Sequence, residues 1–478
     1  MKKMLFFVVL VLLILPLYLF ANGISLSMES AVDSALVNNQ KIKQQEEVVF
    51  QKEYLNKAAI GNFLPSIDLF AGYTYLSDNP EIDTEKIKES IDDMFGDYGA
   101  VMAKQLGLSP WTQQVIHDEI VAGLSTLPAY KLEIDQQTYK NANLVVTQPI
   151  FLGGEIWAGK KFAQAELGLA NETLNKTRNE IINSTTQLYL SVILLEQVVE
   201  LRKNALAGMK KHETQAERAI EIGAIAPPEI IRAQVAVANA ERNLEDAKNE
   251  LSLATSALRS TLNLPAYSSI NPTDSLYFHE VHMNLTEMKE LALAQNSILK
   301  EIGHKQKIAD QAFAVKRSKF LPQIVAIGEY NLIREDYPIV LPRYSLGVQL
   351  ELNLFHGMKK INELKSVKHL SKEVGVAKQY AENEILLLTE ELFYKTENSK
   401  TRYLKLKPTV ELAKKNLDIN EARFREGLGK SIDVVDAQLL FQAASLERLL
   451  SLYNYYTSLS QLYIATGQPD LVVDILKN

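Results

Sequence analysis

Cysteine is absent from this 478-residue chain, which excludes disulfide bonds, thiolate metal ligands and lipidation of an N-terminal cysteine. An excess of either charge is also missing, because 51 Lys and Arg stand against 58 Asp and Glu for a net charge of −7. This mild acidity gives no indication of a nucleic-acid partner. The sequence contains neither an HExxH nor a GxSxG motif, so we predict no enzyme, no cofactor and no metal site.

A long hydrophobic run occurs at the start of the chain. Lys2 and Lys3 precede an apolar run from Met4 to Phe20, and Ala21-Asn22-Gly23 then supplies small residues for cleavage. This pattern predicts a secretory signal peptide over residues 1–23, which would take the mature protein out of the cytoplasm. The alternative is an uncleaved membrane anchor, because the run approaches the length that spans a bilayer.

Most of the sequence after this segment occurs twice. Identical residues recur at an offset of 204 positions through most of each copy and at an offset of 257 near its start, so the first copy carries 53 extra residues. Examples are Phe151/Phe355, Gly153/Gly357, Gly223/Gly427, Ala233/Ala437 and Pro265/Pro469 at 204, and Asn39/Asn296, Phe63/Phe320, Leu64/Leu321 and Pro65/Pro322 at 257. The sequence therefore predicts a tandem duplication. Its parts are a first repeat over 24–265, a linker over 266–282, a second repeat over 283–469 and a C-terminal tail over 470–478.

Each repeat is predicted to run helix, strand, strand and then a long helical hairpin, which makes the protein mainly α with additional β-strands. The predicted helices before the strands are Ser25–Asn62 and Leu285–Lys319. The long helices after the strands are Glu155–Ile222 and Met358–Arg425, and the helices that return from the hairpin tips are Glu229–Asn263 and Ile432–Ala465. The predicted strands cover about 66–77, 139–151, 323–334 and 343–355. Pro408 predicts a kink or a break in the second long helix.

A short turn joins the two helices of each hairpin. The turns lie in the sequences IGAIAPPEIIRAQ from Ile222 and EGLGKSIDVVDAQ from Glu426. A glycine ends the outgoing helix in both, and Pro227 and Pro228 suit the first turn of a returning helix. Ser431 is the predicted N-cap of the other returning helix.

The strand over 343–355 alternates between two kinds of side chain. Apolar residues from Tyr344 to Leu354 point to one side, and Gln349, Glu351 and Asn353 point to the other. This alternation suits a membrane barrel with lipid outside and a water-filled lumen inside, and the alternative is a strand of a soluble sandwich. Four strands cannot close a barrel and open edges are not tolerated in lipid, so the barrel interpretation requires an oligomer.

The long helices carry Lys, Glu and Arg throughout, so they are predicted to stand in water and to pack through apolar stripes as in coiled coils. A helix of about 68 residues would reach about 100 Å at about 1.5 Å per residue. A barrel continued by such helices describes a tube from an outer membrane across the periplasm.

The duplicated element order, the paired Phe-Leu-Pro stops and the glycine hairpin tips resemble the TolC-like outer-membrane efflux proteins. The resemblance implies a homotrimer in the outer membrane of a Gram-negative bacterium, with a 12-stranded barrel above an α-helical tunnel. It also implies a periplasmic adaptor protein as partner, together with an inner-membrane pump of the RND, ABC or MFS type. The alternatives are a periplasmic coiled-coil scaffold that never enters a membrane and a general uptake porin, and the cargo stays open.

The resemblance also implies site residues at the hairpin tips. A gate or constriction would use Asp433, Asp436, Glu229, Phe424 and Lys430, with Gly429 where the family carries an arginine. Adaptor docking would use Ile222, Gly223, Ala224, Gly427 and Leu428, although Glu426 departs from the family's valine. From the residues alone, Asp433 and Asp436 have a second interpretation, because early carboxylates also stabilise a helix dipole.

Three further features have simpler interpretations. The sequence from Gly427 to Ser431 looks like the end of a phosphate-binding loop, but Phe424 occupies the position of its first glycine. His279 and His282 are expected in a surface loop of the linker. The insertion over 78–130 carries a net charge of −7 and is either an acidic extracellular cap or a mobile loop, with a helix predicted over Thr84–Phe95 and another beginning at Ser109-Pro110.

Overall fold

A computed structural model of the chain describes residues 24–79, 81–83, 115, 131–333 and 342–477. The predicted signal peptide, the two helices predicted in the insertion and the turn over 334–341 lie outside these residues. The described chain divides into two compact units. The sheet unit comprises Ile60–Ile156 and Arg317–Lys360, and the helical unit comprises Trp157–Lys316, Ile361–Asn478 and the part of the chain before Ile60.

The helices in the described part of the chain occur as four matched pairs. They are α1 (Met28–Asn38), α2 (Gln40–Gly61), α3 (Glu155–Glu221) and α4 (Pro227–Thr261) in the first repeat, and α5 (Leu285–Gln295), α6 (Ser297–Ser318), α7 (Lys359–Arg425) and α8 (Ser431–Ala465) in the second. Both α3 and α7 have 67 residues, and both α4 and α8 have 35. We call α3, its tip and α4 the first hairpin, and α7, its tip and α8 the second hairpin. Among the helices of the described residues, none combines the length and apolar character needed to cross a membrane.

The single helices predicted over Ser25–Asn62 and Leu285–Lys319 are wrong, because each is divided at an asparagine. Asn39 and Asn296, which are equivalent in the two repeats, have ψ angles of 128° and 130° in place of helical values. The Asn39 side-chain oxygen accepts a hydrogen bond from Lys41 N–H at 2.9 Å, and the Asn296 oxygen accepts one from Ile298 N–H at 2.9 Å. Each side chain thus begins the next helix as an N-cap does.

The two asparagines also reach the ends of the returning helices. Asn39 Nδ2 donates to the carbonyl of Thr261 at 3.0 Å, and Asn296 Nδ2 donates to the carbonyl of Ala465 at 2.8 Å. These carbonyls belong to the last residues of α4 and α8, whose final carbonyls have no partner within the helix. One side chain therefore starts one helix and stabilises the end of another, in both repeats.

Pro408 does not break α7, so the break predicted there is wrong. The proline lies on an exposed stretch of a 67-residue helix, where the carbonyl that loses its hydrogen bond can be hydrated. The hydrogen bonds on either side keep the helix continuous.

The main sheet of the sheet unit has four antiparallel strands. They are β2 (Ser66–Tyr75), β5 (Thr138–Leu152), β7 (Gln323–Ile333) and β8 (Tyr344–Glu351), in the spatial order β2-β5-β7-β8. The pairing of β5 with β7 joins the strands of the two repeats. Both edge strands, β2 and β8, have one side without a strand partner among the described residues.

The strand predicted to continue to residue 355 ends earlier, and Asn353 lies outside it. Glu351 pairs with Gln323, which is the first residue of β7. The residue before Gln323 is Pro322, which has no N–H group and therefore cannot extend the pairing. Four strands were predicted, whereas the described residues contain further short ones. These are β1 (Ile24–Leu26), which pairs with β6 (Ile270–Pro272), and β3 (Glu81–Asp83), which pairs with β4 (Lys131–Glu133) at the base of the insertion.

The linker and the tail are part of the core of the helical unit. Tyr455 and Tyr456 are fully buried, and their hydroxyls donate to the linker carbonyls of His279 and Tyr277 at 3.0 and 2.6 Å. In the tail, a 3₁₀ helix over Pro469–Val472 precedes buried aliphatic side chains. The tail therefore packs against the same core as the linker.

We expect Asn296→Ala to destabilise the helical unit more than Asn39→Ala. Asn296 is buried and Asn39 is half-buried. When the same two hydrogen bonds are lost, water therefore reaches the unpaired backbone groups less easily at Asn296 than at Asn39. The expected losses of unfolding free energy are about 2–3 kcal/mol and about 1 kcal/mol. Chemical unfolding in detergent measures both. Asn38→Ala is the control, because within the described residues the Asn38 side chain bonds only to Ser34 of its own helix. Equal losses for all three variants would contradict the role of the asparagines.

Candidate gate and channel wall

The two hairpin tips have the same backbone geometry. Gly223 and Gly427 adopt φ values of +73° and +71°, which favour glycine. The N–H groups of Ala224 and Leu428 donate to carbonyls five residues earlier, at 2.8 Å in both tips, and those of the glycines donate to carbonyls three residues earlier. This double hydrogen bond is the Schellman motif, which ends α3 and α7.

The predicted docking residues all lie at the surface. Ile222 is 81% exposed and Leu428 is 72% exposed, and Gly223, Ala224 and Gly427 are also exposed. An added Cβ atom at either glycine would meet no atom within 4 Å. Each tip therefore presents an open backbone turn beside one large apolar side chain.

A small apolar cluster, which we call the tip cluster, includes residues from both hairpins. Its buried members are Met209, Ala216, Ala233, Ala236, Val237, Ala240, Leu417, Phe424, Val434 and Ala437. Phe424, predicted as a gate residue, is only 4% exposed and contacts the His212 ring edge-on at a centroid distance of 4.5 Å. Its ring therefore packs within the helical unit.

A polar bridge crosses between the hairpins beside this cluster. His212 Nε2 of α3 lies 2.7 Å from Ser431 Oγ at the start of α8, and both side chains are buried. The Ser431 N–H donates to a Glu229 carboxylate oxygen at 2.9 Å. Arg232 forms a 3.1 Å ion pair with the other oxygen of Glu229. Glu229, predicted at the constriction, thus joins the two hairpins.

Asp433 and Asp436 lie in the first turns of α8. The Asp433 carboxylate accepts a hydrogen bond from the Lys430 N–H at 3.0 Å. This carboxylate therefore caps the N-terminus of α8, the role that was predicted for Ser431. The prediction of Ser431 as N-cap is wrong, because α8 begins at Ser431 and its side chain contacts His212. Asp436 is exposed and, within the described residues, forms no hydrogen bond or ion pair. The Lys430 side chain is exposed beside them.

Burial lowers the pKa of His212 to about 4, although the nearby Glu229 carboxylate acts in the opposite direction. Its Nδ1 atom has no hydrogen-bond partner among the described residues. The ring is therefore neutral at neutral pH.

The predicted lumen residues Gln349 and Glu351 lie on one face of the sheet with other polar side chains. The register places Ser66, Asp68, Asn143, Thr147, Gln323, Glu329, Asn331, Ser345, Gln349 and Glu351 on this face, together with Phe70, Val145, Val325 and Ile327. We call it the polar face. Asn143 Nδ2 on β5 donates to the Glu329 carboxylate on the neighbouring strand β7 at 2.7 Å. Asn353 follows the end of β8 and has no position in the register.

The opposite face is apolar except at Gln148, which is paired with Ala326. The register places Ile67, Leu69, Ala71, Leu144, Val146, Ala326, Tyr330, Tyr344, Leu346, Val348 and Leu350 together there. The four members on β8 are 63–82% exposed in the isolated chain. An apolar face this exposed requires a cover, and a lipid bilayer provides one for a sheet whose other face is polar.

The bridge between His212 and Ser431 was not predicted. The two residues are 219 positions apart, and nothing local in the sequence indicates their contact. The buried residues Ala205, Met209, His212 and Ala216 follow helical spacing, so the apolar stripe of α3 does place His212 on the buried face.

His212 gives the helical unit a defined pH dependence. The pKa of an ordinary histidine is 6.5 and that of His212 is about 4, so between these values the unfolded chain binds a proton that the folded chain does not. Stability is therefore complete above pH 6.5 and falls as the pH is lowered to about 4, by about 3 kcal/mol in total. Chemical unfolding of the protein and of His212→Gln at several pH values checks this. The same pH dependence in both proteins would contradict it.

Comparison with known proteins identifies relatives over most of the chain. The model of the outer membrane efflux protein family matches residues 119–264 and 289–468, one stretch in each repeat. The alkaline protease secretion protein AprF of Pseudomonas aeruginosa is 19% identical over 363 residues, which are 73% of this chain and 74% of AprF.

Solved structures show the same fold. The outer membrane channel CmeC of Campylobacter jejuni superimposes with a TM-score of 0.72 at 15% identity, covering 92% of this chain and 86% of CmeC. The outer membrane protein VceC of Vibrio cholerae gives 0.71 at 15% identity, covering 92% of this chain and 96% of VceC. The predicted fold class, mainly α with a tandem repeat of helix–strand–strand–helix, is confirmed. The sheet of the single chain is open, which agrees with the predicted closure of the barrel in a trimer.

Proposed function

Because this chain belongs to the outer membrane efflux protein family, we propose that it forms a passive export duct whose gate is the carboxylate pair of the second hairpin. The predicted outer-membrane location and role in efflux follow from the family. Members of the family act as trimeric channels together with adaptor and pump proteins. The duct itself supplies no energy, and transport is driven by the pump.

The sheet supports assembly as one third of a barrel. Its exposed apolar face suits lipid, its polar face suits a water-filled lumen, and its two edge strands lack partners within the described chain. Unpaired backbone N–H and C=O groups are too costly in lipid, so the edges of neighbouring copies must pair. Three copies give a closed wall of 12 strands, and Gln349 and Glu351 then line its interior.

The exposure of Asp436 is the observation that carries the gate. Asp436 has no ion-pair partner among the described residues, and Asp433 is half-exposed one helical turn away. A threefold axis beside this helix start would bring six carboxylates together. Such a ring attracts cations and repels anions. Lys430 lies at the same helix start and moderates the charge.

The hairpin tips support docking of a periplasmic adaptor. Large apolar side chains at Ile222 and Leu428 are exposed beside open glycine turns, and exposed apolar groups of this kind mark contact surfaces. The inner-membrane pump, of the RND, ABC or MFS type, then selects the cargo. The relative AprF is named for protease secretion, which makes a polypeptide cargo one candidate beside small molecules.

We expect Asp433→Ala/Asp436→Ala to remove a cation block. In planar bilayers, hexamminecobalt(III) added from the side of the helix tips should block the small cation-selective current of the unaltered channel. The double variant should need at least about tenfold more of it for half-block, because the ring has lost six charges. Glu245→Ala is the control, since Glu245 is an exposed acid paired with Lys248. Equal block of all three channels would refute the gate.

We expect Ile222→Asp and Leu428→Asp to abolish export in cells while leaving conductance in bilayers unchanged. A carboxylate at these positions would have to be desolvated in an apolar contact with the adaptor. Ile222→Val and Leu428→Ile keep the apolar surface and should export normally. Export by the aspartate variants at the normal rate would exclude these side chains from docking.

A further inference from the structure

A polar cavity lies between α3 and α6 within the helical unit. Its volume is about 510 Å³, and small-molecule sites in proteins have volumes of about 300–1,000 Å³. The polar side chains that line it are Lys161, Gln164 and Asn171 of α3 and His304, Lys307 and Gln311 of α6. Its apolar lining consists of two side chains, Ala165 and Leu167. The cavity therefore suits a polar ligand of small-molecule size.

The charged groups that line the cavity are both positive. Lys161 and Lys307 are exposed, and neither forms an ion pair within the described residues. No carboxylate of the described chain lines the cavity, although the charge of Glu172 acts on His304 from nearby. Two unpaired ammonium groups at one cavity repel each other, and an anion between them would replace this repulsion by attraction.

His304 adds a hydrogen-bond donor to the cavity. Its Nδ1 atom is buried without a partner among the described residues, whereas its Nε2 atom is not buried. Burial and the neighbouring Lys307 lower the pKa of His304, with Glu172 acting in the opposite direction, so the ring is neutral at neutral pH. The single proton of the neutral ring then lies on Nε2, because on Nδ1 it would have no acceptor.

Gly168 positions this ring. A Cβ atom added at Gly168 would collide with Cε1 and Nδ1 of His304. At Gly159, in the same helix, an added Cβ atom would meet nothing within 4 Å. The missing side chain at Gly168 thus lets the imidazole lie directly against the backbone of α3.

The duplication does not repeat the cavity. At the offset of 257, Glu47 corresponds to His304 and Phe50 corresponds to Lys307. The equivalent helix of the first repeat, α2, therefore has an acid and an aromatic residue where α6 has an imidazole and an ammonium group. Because both repeats share the fold, the fold itself does not require the basic lining.

We propose that this cavity binds a phosphate ester, which bridges α3 and α6. Lys161 and Lys307 bind the phosphate, whose oxygens accept charge-assisted hydrogen bonds, and the Nε2–H group of His304 donates a further one. The amides of Gln164 and Gln311 bind the polar remainder of the ester. The headgroup of an anionic phospholipid and a soluble phosphate ester share this chemistry. The site is independent of the proposed gate, which lies on the second hairpin.

Isothermal titration calorimetry of the protein in a neutral detergent tests the site, at constant ionic strength so that screening does not change. The probes are glycerol 3-phosphate for a soluble ester and dihexanoylphosphatidylglycerol for a lipid headgroup, with glycerol as the uncharged comparison. We expect saturable binding of the esters and none of glycerol. The ester that binds more tightly identifies the source of the ligand, and equal affinities mean that the phosphate alone is recognised. No saturable binding of either ester would overturn the proposal.

Lysine variants locate the binding. Lys161→Gln/Lys307→Gln should weaken ester binding at least about tenfold, because it removes both charges from the cavity. Lys305→Gln is the matched control, since Lys305 is an exposed lysine of α6 that does not line the cavity. The same affinity in the double variant, the control and the unaltered protein would place the binding elsewhere and overturn the proposal.

A glycine variant tests the geometry without a change of charge. Gly168→Ala should weaken ester binding several-fold, because the added Cβ atom displaces the His304 ring, and Gly159→Ala is its control. A saturating ester should raise the melting temperature of the unaltered protein and leave that of the double lysine variant unchanged. Melting without ligand shows whether each variant is folded. An unchanged affinity in Gly168→Ala would contradict the role of His304.

Discussion

The structure depends on the need of every backbone hydrogen-bonding group in lipid to have a partner. The order β2-β5-β7-β8 leaves one side of β2 and one side of β8 open. Because the four antiparallel strands alternate in direction, β8 of one copy runs antiparallel to β2 of the next, and the same kind of pairing continues around the barrel. The even number of strands in each copy thus fixes the direction of the closing pairs, and the open edges make assembly of several copies obligatory in lipid.

The duplication preserves what supports the helices and changes what lies at the tips. Asn39 and Asn296 make equivalent hydrogen bonds at equivalent breaks, and the two hairpins have equal helix lengths. At the tips, by contrast, Pro227 stands opposite Ser431 in the alignment of the repeats. The two copies therefore share an architecture while only one of them carries the buried serine that His212 contacts.

Local patterns predicted the parts of the fold that local physics decides. The long helices have helical periodicity over many turns. Helix α3 ends at Glu221, one residue before its predicted end and two residues before the glycine of its tip. The breaks at Asn39 and Asn296 were missed because their partner carbonyls lie 222 and 169 positions away. The end of β8 was missed for a similar reason, since it is decided by Pro322, which precedes the neighbouring strand β7. At the candidate gate, sequence reasoning placed the tips and the aspartates, whereas the link from His212 to Ser431 depends on packing between distant segments.

The equal lengths of the hairpins have a consequence for any partner at the tips. A trimer presents six tips of alternating kind. One kind carries Glu221 close to Gly223, and the other carries Arg425, Glu426 and Lys430 around Gly427. A ring of identical partner subunits that covered all six would meet two surface chemistries in turn. Such subunits would need either one adaptable surface or two separate ones, and the interface would have threefold symmetry even if the partner had sixfold symmetry.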